Sequence, residues 1–170
     1  LISTVQGDLG SSIFTKKPVV QELLIRLPIT LELVFFSTFL SVIVAIPLGI
    51  KAAVKDGTKT DHLITNVSLL GLSFPEFFIA LILILFLSLY LGLLPPSGYT
   101  GLFSDPINHI RYMLLPAVSL AIPRIAVYIR ILRSSMLEVL SLDYIRTARS
   151  KGILERKVEW DHAFKNARIS

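Results

Sequence analysis

Residues 77–94 read Phe-Phe-Ile-Ala-Leu-Ile-Leu-Ile-Leu-Phe-Leu-Ser-Leu-Tyr-Leu-Gly-Leu-Leu, 18 positions without a charge. A run of that length is about the minimum that crosses bilayer hydrocarbon as a helix. It constrains the fold severely, because in hydrocarbon every backbone N–H and C=O must be satisfied within the helix or by protein neighbours. Extended towards its N-terminus, the helix starts near Ile64 and is kinked at Pro75, so the span covers about 64–94. A second span covers about 29–50, with Glu32 near its start and Pro47 near its end. A third covers about 112–131 and is interrupted by Pro116, Pro123 and Arg124. Composition agrees with this reading: 53% of residues are apolar, above the roughly 45–50% of soluble domains. The expected class is an all-α polytopic membrane protein.

Basic residues orient the spans. The connector 51–62 carries Lys51, Lys55 and Lys59, whereas 95–111 carries only Arg111. From Arg124 onwards there are ten of the chain's 17 Lys and Arg, against five acids. Segments 51–62 and 132–170 are therefore expected in the cytoplasm, with 95–111 outside. Three regions follow: an extracytoplasmic segment 1–27, a transmembrane region 28–134 and a cytoplasmic loop 135–170. The chain starts at Leu1 without a signal-peptide pattern and stops at Ser170 inside an apparent helix, so it reads as an internal piece of a longer protein. It contains no cysteine, which excludes disulfides and thiolate metal sites.

The cytoplasmic loop carries the organised charge. Residues 143–151 predict a short helix, capped by Ser141 or Asp143 and closed by Gly152 in the left-handed conformation. Tyr144 and Ala148 share a face with Ile145 beside them, and Arg146, Arg149 and Lys151 form the polar side. A second helix from about Leu154 places Ile153, Trp160, Phe164 and Ala167 on one stripe. A small Ala in a short helix closed by Gly predicts close approach by another protein's groove, with the cations meeting acids or carbonyls. The competing reading is an amphipathic pair lying on anionic lipid.

Other polar positions carry less. Glu76 follows Pro75 within the apolar stretch, where an ionisable residue is a candidate functional site or, if close to the inner surface, a hydrated one; Glu32 is expected to face water, and Arg124, one to two turns from the cytoplasmic end, can snorkel. His62, His109 and His162 are scattered on expected loops without metal-ligand spacing. There is no Walker-type phosphate loop and no Ser-His-Asp or Cys-His arrangement.

Taken in order, several short motifs resemble one family. They are Gly7-Asp8-Leu9-Gly10, Arg26-Leu27-Pro28, Pro47-Leu48-Gly49, Pro96-Ser97-Gly98-Tyr99 and Leu115-Pro116-Ala117. Arg133-Ser134-Ser135-Met136-Leu137, Asp143-Tyr144-Ile145-Arg146-Thr147-Ala148-Arg149, Lys151-Gly152, His162-Ala163 and Asn166-Ala167 complete the series. Together they resemble the membrane subunit (permease) of ABC importers of the dipeptide/oligopeptide (nickel) type, in particular its first permease subunit. The resemblance implies an ABC importer transmembrane-domain (MetI-like) fold with a cytoplasmic coupling-helix loop. It implies that Tyr144, Arg146, Thr147, Ala148, Arg149, Lys151 and Gly152 contact an ATPase subunit. Arg146, Thr147 and Ala148 fill the family's Glu-Ala-Ala positions, and only Ala148 and Gly152 match the general motif. Arg168-Ile169-Ser170 departs from the usual apolar residue, Ile and Pro.

The implied function is movement of short peptides across a bacterial or archaeal cytoplasmic (inner) membrane. The implied partners are two cytoplasmic ATPase subunits, a second permease, an extracytoplasmic solute-binding protein and the bilayer, with no nucleic acid. The chain itself is then not an enzyme and needs no cofactor or metal. Nickel chelates or glutathione are alternative solutes. Outside this class, an autonomous channel or secondary transporter would need polar stripes along the spans, and a membrane-embedded enzyme a cluster of acids or histidines.

Overall fold

The computed structural model describes residues 9–13 and 16–167. The Gly7-Asp8 pair, the remainder of the first seven residues and the Arg168-Ile169-Ser170 departure lie outside the described residues. The described residues hold helices and one isolated antiparallel bridge, Ser11 with Pro18. Helix α1 spans Val19–Val54, α2 Lys59–Ser73, α3 Glu76–Leu83, α4 Pro106–Leu140 and α5 Asp143–Ser150. Helix α3 continues as a π-helical stretch, Ile84–Tyr90, and a last helix over 155–167 is π-helical at Val158–Phe164. The chain divides into two compact units, 1–36 and 37–170. The first holds the bridge, the start of α1 with its Glu22–Arg26 ion pair at 3.0 Å, and an edge-to-face contact between Phe35 and Phe36.

Helices α1 and α4 have 36 and 35 residues. At 1.5 Å per residue each is about 50 Å long, well beyond the ~30 Å of bilayer hydrocarbon. The polar residues at the ends of α4 are therefore helical rather than loop, because intrahelical hydrogen bonds outlast the apolar stretch that hydropathy detects. Asp105 caps α4 by accepting from the Asn108 backbone N–H at 3.1 Å, and Pro106 occupies the first turn, where its missing N–H costs nothing. The expected interruptions at Pro116 and Pro123 fall inside one continuous helix.

The expected kink at Pro75 is a break. Phe74 is extended (φ −110°, ψ 138°) and so is Pro75 (φ −60°, ψ 144°), so α2 and the helix Glu76–Tyr90 meet at 98°. Steric exclusion of the helical region before proline accounts for Phe74, and Pro75 has no N–H with which to bridge the gap. Each arm is about 22 Å long, shorter than the hydrocarbon, so neither spans alone. Among the described residues, two helices are long and apolar enough to cross a membrane, or three segments if the bent pair is one broken span. Glu76 is exposed in the first turn of α3, where a carboxylate complements the helix dipole.

Helix α1 presents Ser37, Ser41, Ala45, Gly49 and Ala53, all buried, at four-residue spacing. Such a ridge of small residues lets helices approach closely where the hydrophobic effect supplies no drive between them. A Cβ at Gly49 would sit 3.0 Å from Leu132 Cδ2 of α4, and one at Gly71 of α2 would sit 3.0 Å from Ile122 Cγ2. Small residues thus set how near α1 and α2 lie to α4.

Polar bonds reinforce the α1–α4 seam. Ser41 Oγ donates to the Ala121 carbonyl at 3.3 Å, and Arg124 Nη1 donates to Ser37 Oγ at 2.7 Å and Thr38 Oγ1 at 3.4 Å. Arg124 therefore does not reach along the helix towards its end: two hydroxyls near the middle of α1 accept from it across the seam.

Candidate functional site

The loop 141–167 is built on the ends of the two long helices. Ile50 and Ala53 of α1, Met136 and Val139 of α4, Ile145 and Ala148 of α5, and Val158, Ala163 and Ala167 of the last helix form one buried cluster. Ile145 is 0% exposed and Ala148 7%. Ala148 thus faces inward with Ile145, and the face expected to admit a partner's groove is occupied by the protein's own core. The eight-residue helix α5 brings positions 145 and 148 to one side, as three-residue spacing requires. Its outer side is formed by Asp143, Arg146, Thr147 and Ser150, all exposed, with Tyr144 at the edge (40% exposed).

Leu142 is the N-cap of α5 and offers no side-chain acceptor. The expected caps act otherwise: Ser141 Oγ donates to the Glu138 carbonyl at 2.7 Å, and Asp143 lies in the first turn. The C-terminal end follows the sequence expectation. Gly152 has φ +74°, its N–H donates to the Arg149 carbonyl at 2.9 Å, and the Ile153 N–H donates to the Ala148 carbonyl at 3.3 Å. This is a Schellman closure, with Ile153 packed against the same core that holds Ala148. Its effect is to turn the chain sharply so that the last helix folds back under α5.

The stripe expected at Ile153, Trp160, Phe164 and Ala167 is displaced. The π-helical stretch widens the turn, so the buried positions are Val158, Ala163 and Ala167, while Trp160 is 39% exposed. Trp160 and Phe164 make an edge-to-face pair at 5.6 Å. His162 belongs to this stretch, His62 to α2 and the fully buried His109 to the first turn of α4, so none of the three lies on a loop.

The basic side chains divide into paired and open groups. Arg149 grips Glu155 through Nη2–Oε1 at 2.6 Å and Nε–Oε1 at 3.1 Å, fixing the end of α5 to the last helix. Both partners are about half exposed, so the pair orients more than it stabilises, contributing about 0–1 kcal/mol. Asn166 Nδ2 donates to the Tyr144 hydroxyl at 2.8 Å and to the His162 carbonyl at 2.8 Å, tying the other end of α5 to the same helix. Arg146, Lys151, Arg156 and Lys157 remain exposed, a cationic rim around α5.

One constellation was missed by sequence reasoning. Arg133 of α4 donates through Nε to Asp61 Oδ1 at 2.7 Å and through Nη2 to Asp61 Oδ2 at 2.7 Å and Asp56 Oδ1 at 2.5 Å. Asp61 is 2% exposed and also accepts from the Gly57 N–H at 3.0 Å and Thr65 Oγ1 at 3.3 Å. The hydrogen bond from Arg133, ahead of the Gly57 amide and the guanidinium charge, holds the Asp61 carboxyl down at about 2 against the opposing effect of burial. The Asp61 carboxylate in turn raises Arg133. The available sequence signal was an acid three residues after a Thr cap and an Arg beyond the apolar stretch, 72 positions apart.

At the other end, loop 91–105 is pinned to α4. His109 Nδ1 lies 2.6 Å from the Thr100 carbonyl, its ring meets Tyr99 edge-on at 5.8 Å, and Arg111 Nη2 donates to the Leu93 carbonyl at 3.2 Å. A groove of about 420 Å³ beside Leu48, Val67 and Ile122 is lined by apolar side chains and the Ser68 hydroxyl, with no charged side chain in its wall.

Comparison with known proteins accords with this architecture. Residues 45–170 match the family described as binding-protein-dependent transport system inner membrane component. The chain is 43% identical over 166 residues to the oligopeptide transport system permease protein AppB of Bacillus subtilis (strain 168), covering 96% of this chain and 52% of that protein. It is 38% identical over 186 residues to the dipeptide transport system permease protein DppB of Haemophilus influenzae, covering 98% and 56%. With the probable D,D-dipeptide transport system permease protein DdpB of Escherichia coli (strain K12) the identity is 36% over 184 residues, covering 96% and 54%. The chain spans about half the length of these relatives.

Proposed function

Because this chain belongs to the family of binding-protein-dependent transport system inner membrane components, we propose that it is part of the permease subunit of an ATP-driven importer of short peptides. ATP hydrolysis takes place on two separate cytoplasmic subunits, a second permease completes the pathway, and an extracytoplasmic binding protein delivers the solute. Helix α5 is the element the ATPases push. Residues 51–62 and 132–167 face the cytoplasm and 95–111 the outside, with the bent pair α2–α3 forming one broken span.

The observation that carries this reading is the two-sidedness of α5. Its inner face, Ile145 and Ala148, is embedded in a core shared by the ends of α1 and α4. Its outer face, Tyr144, Arg146, Thr147 and Ser150, is polar, basic and exposed. A load applied to the outer face passes through a close-packed core into two long helices, and packed cores transmit displacement rather than absorb it. Coupling then requires only that the ATPase bind α5 differently in its two nucleotide states. Arg149, Lys151 and Gly152 contribute by fixing where the rod ends. The peptide class is supported by the relatives, which are oligopeptide and dipeptide transport system permeases.

The test is uptake of defined labelled di- and oligopeptides by a strain deleted for the gene, with and without the full-length gene restored. Restored peptide uptake that stops on ATP depletion supports the proposal. Uptake of nickel chelates or glutathione alone would reassign the solute, and solute flux independent of ATP would point to an autonomous channel and overturn the reading.

A further inference from the structure

We propose that Arg133 is a positioning residue that joins α2 to the α5 module, so that motion of α5 reaches three helices instead of two. This rests on the reading of α5 as the driven element.

The core under α5 reaches α1 and α4 but not α2. Arg133 closes that gap. It lies one turn before Met136 and two before Val139, the α4 residues that support Ile145 and Ala148. Its planar fork meets both oxygens of Asp61, the first-turn acid of α2. Two parallel N–H···O⁻ bonds fix direction as well as distance, which a Lys ammonium does not do. The remaining acceptor sites of Asp61 are filled by Gly57 and Thr65, so the carboxylate is held by α2 and its preceding turn and cannot swing to follow the guanidinium. Asp56 holds the turn's outer arm to the same nitrogen. The joint therefore moves as a block with the start of α2.

Stability alone is a poor account of this arrangement. An apolar pair of similar volume replaces a buried ion pair at little cost, or with a gain. Buried ionic groups serve best where one register must be selected over others. Here the register is that of α2 against α4, whose close contact lies at Gly71 and Ile122. The consequence is directional: without the fork, α5 still drives α1 and α4 while α2, and the broken span it begins, lags behind.

The experiment uses the complete importer in proteoliposomes, with peptide uptake and phosphate release measured together. In Asp61→Asn and Arg133→Ala, peptides moved per ATP fall by about fivefold or more, the low end of ordinary allosteric coupling, while nucleotide binding and complex assembly are retained. Arg133→Lys, which keeps the charge without the fork, shows the same loss to a smaller degree. Should the two drastic variants fail to assemble, Arg133→Lys decides. An unchanged peptide-to-ATP ratio in any assembled variant overturns the proposal.

A second readout does not depend on the solute. Lys59 and Lys165 are exposed and these 170 residues contain no cysteine, so spin labels at Lys59→Cys and Lys165→Cys are specific once the rest of the permease and its partner subunits are cleared of cysteine. Their separation stays narrow across the ATP cycle in the parent and broadens in Asp61→Asn. A distribution equally narrow in both refutes the joint even if the solute proves not to be a peptide. Absence of any transport in the parent, with broadening still present in the variant, instead faults the functional reading alone.

Discussion

Replacing Ile145 with Ala tests whether α5 is held by its inner face. Ile145 is fully buried under α5, facing α4 and the last helix through the shared core. The substitution removes three carbon atoms, about 2.4 kcal/mol at ~0.8 kcal/mol per buried methylene. The cavity left behind brings the expected cost to about 2–5 kcal/mol. The loss falls on local opening of α5, because the long helices keep their own seam at Ser41, Gly49 and Leu132. At 1.4 kcal/mol per factor of ten, the transfer loss of about 2.4 kcal/mol alone accelerates amide exchange about fiftyfold, or to the intrinsic rate if opening is already cheap. Hydrogen exchange followed by mass spectrometry reads this at the amides of Lys151 and Ile153, which bond the Thr147 and Ala148 carbonyls. Arg146→Ala, on the exposed face, serves as the control and leaves protection unchanged. Equal protection in Ile145→Ala and the parent would refute the account of how the rod is seated.

Gly98→Ala loosens loop 91–105: its Cβ would lie 2.4 Å from Tyr112 Cε1 at φ +128°, so overpacking costs about 1–3 kcal/mol. Limited proteolysis of the loop should quicken in this variant and be partly corrected by adding Tyr112→Ala. Because the folded-state pKa of Asp61 is depressed from 3.8 to about 2, its contribution to stability is complete above about pH 4 and is lost as pH falls through about 2. Protection of the Gly57 amide, relative to its intrinsic exchange rate, should therefore fall below pH 4 in the parent and show no such dependence in Asp61→Asn. For the topology, a cysteine at Ser97 is expected to react with an impermeant reagent on intact cells and one at Lys55 only after the cells are opened, and the reverse pattern would invert the orientation.

Much of this was legible in the residues. The charge-free run at 77–94, the basic loop and Gly152 led to the membrane class, the short helix and its left-handed closure. What escaped has physical causes. Hydropathy finds only the part of a helix that lies in hydrocarbon, so the polar outer turns of α4, with His109 and Arg133, carry no hydropathy signal that separates them from connector. The ridge Ser37, Ser41, Ala45, Gly49 and Ala53 is less apolar than the Phe, Leu, Val and Ile around it, so hydropathy does not mark it as a packing face, although its four-residue spacing is visible in the sequence. Helical periodicity presumes 3.6 residues per turn, and the π-helical stretch Val158–Phe164 broke it, moving Trp160 outward. The inward turn of Ala148 could not come from α5 alone, because an eight-residue helix does not reveal which of its faces the rest of the chain will cover. The Arg133–Asp61 fork joins positions 72 apart, beyond any local pattern.

The central claim is that the outward side of α5 receives an ATPase while the inward side does not. Single cysteines at Thr147, Ser150 and Ile145, each oxidised against cysteines placed along the cleft of the ATPase subunit in the assembled transporter, test it directly. Disulfide formation from Thr147 and Ser150, changing with nucleotide, and none from Ile145 is the predicted result. A complex that transports yet yields no cross-link from any exposed α5 position would contradict it.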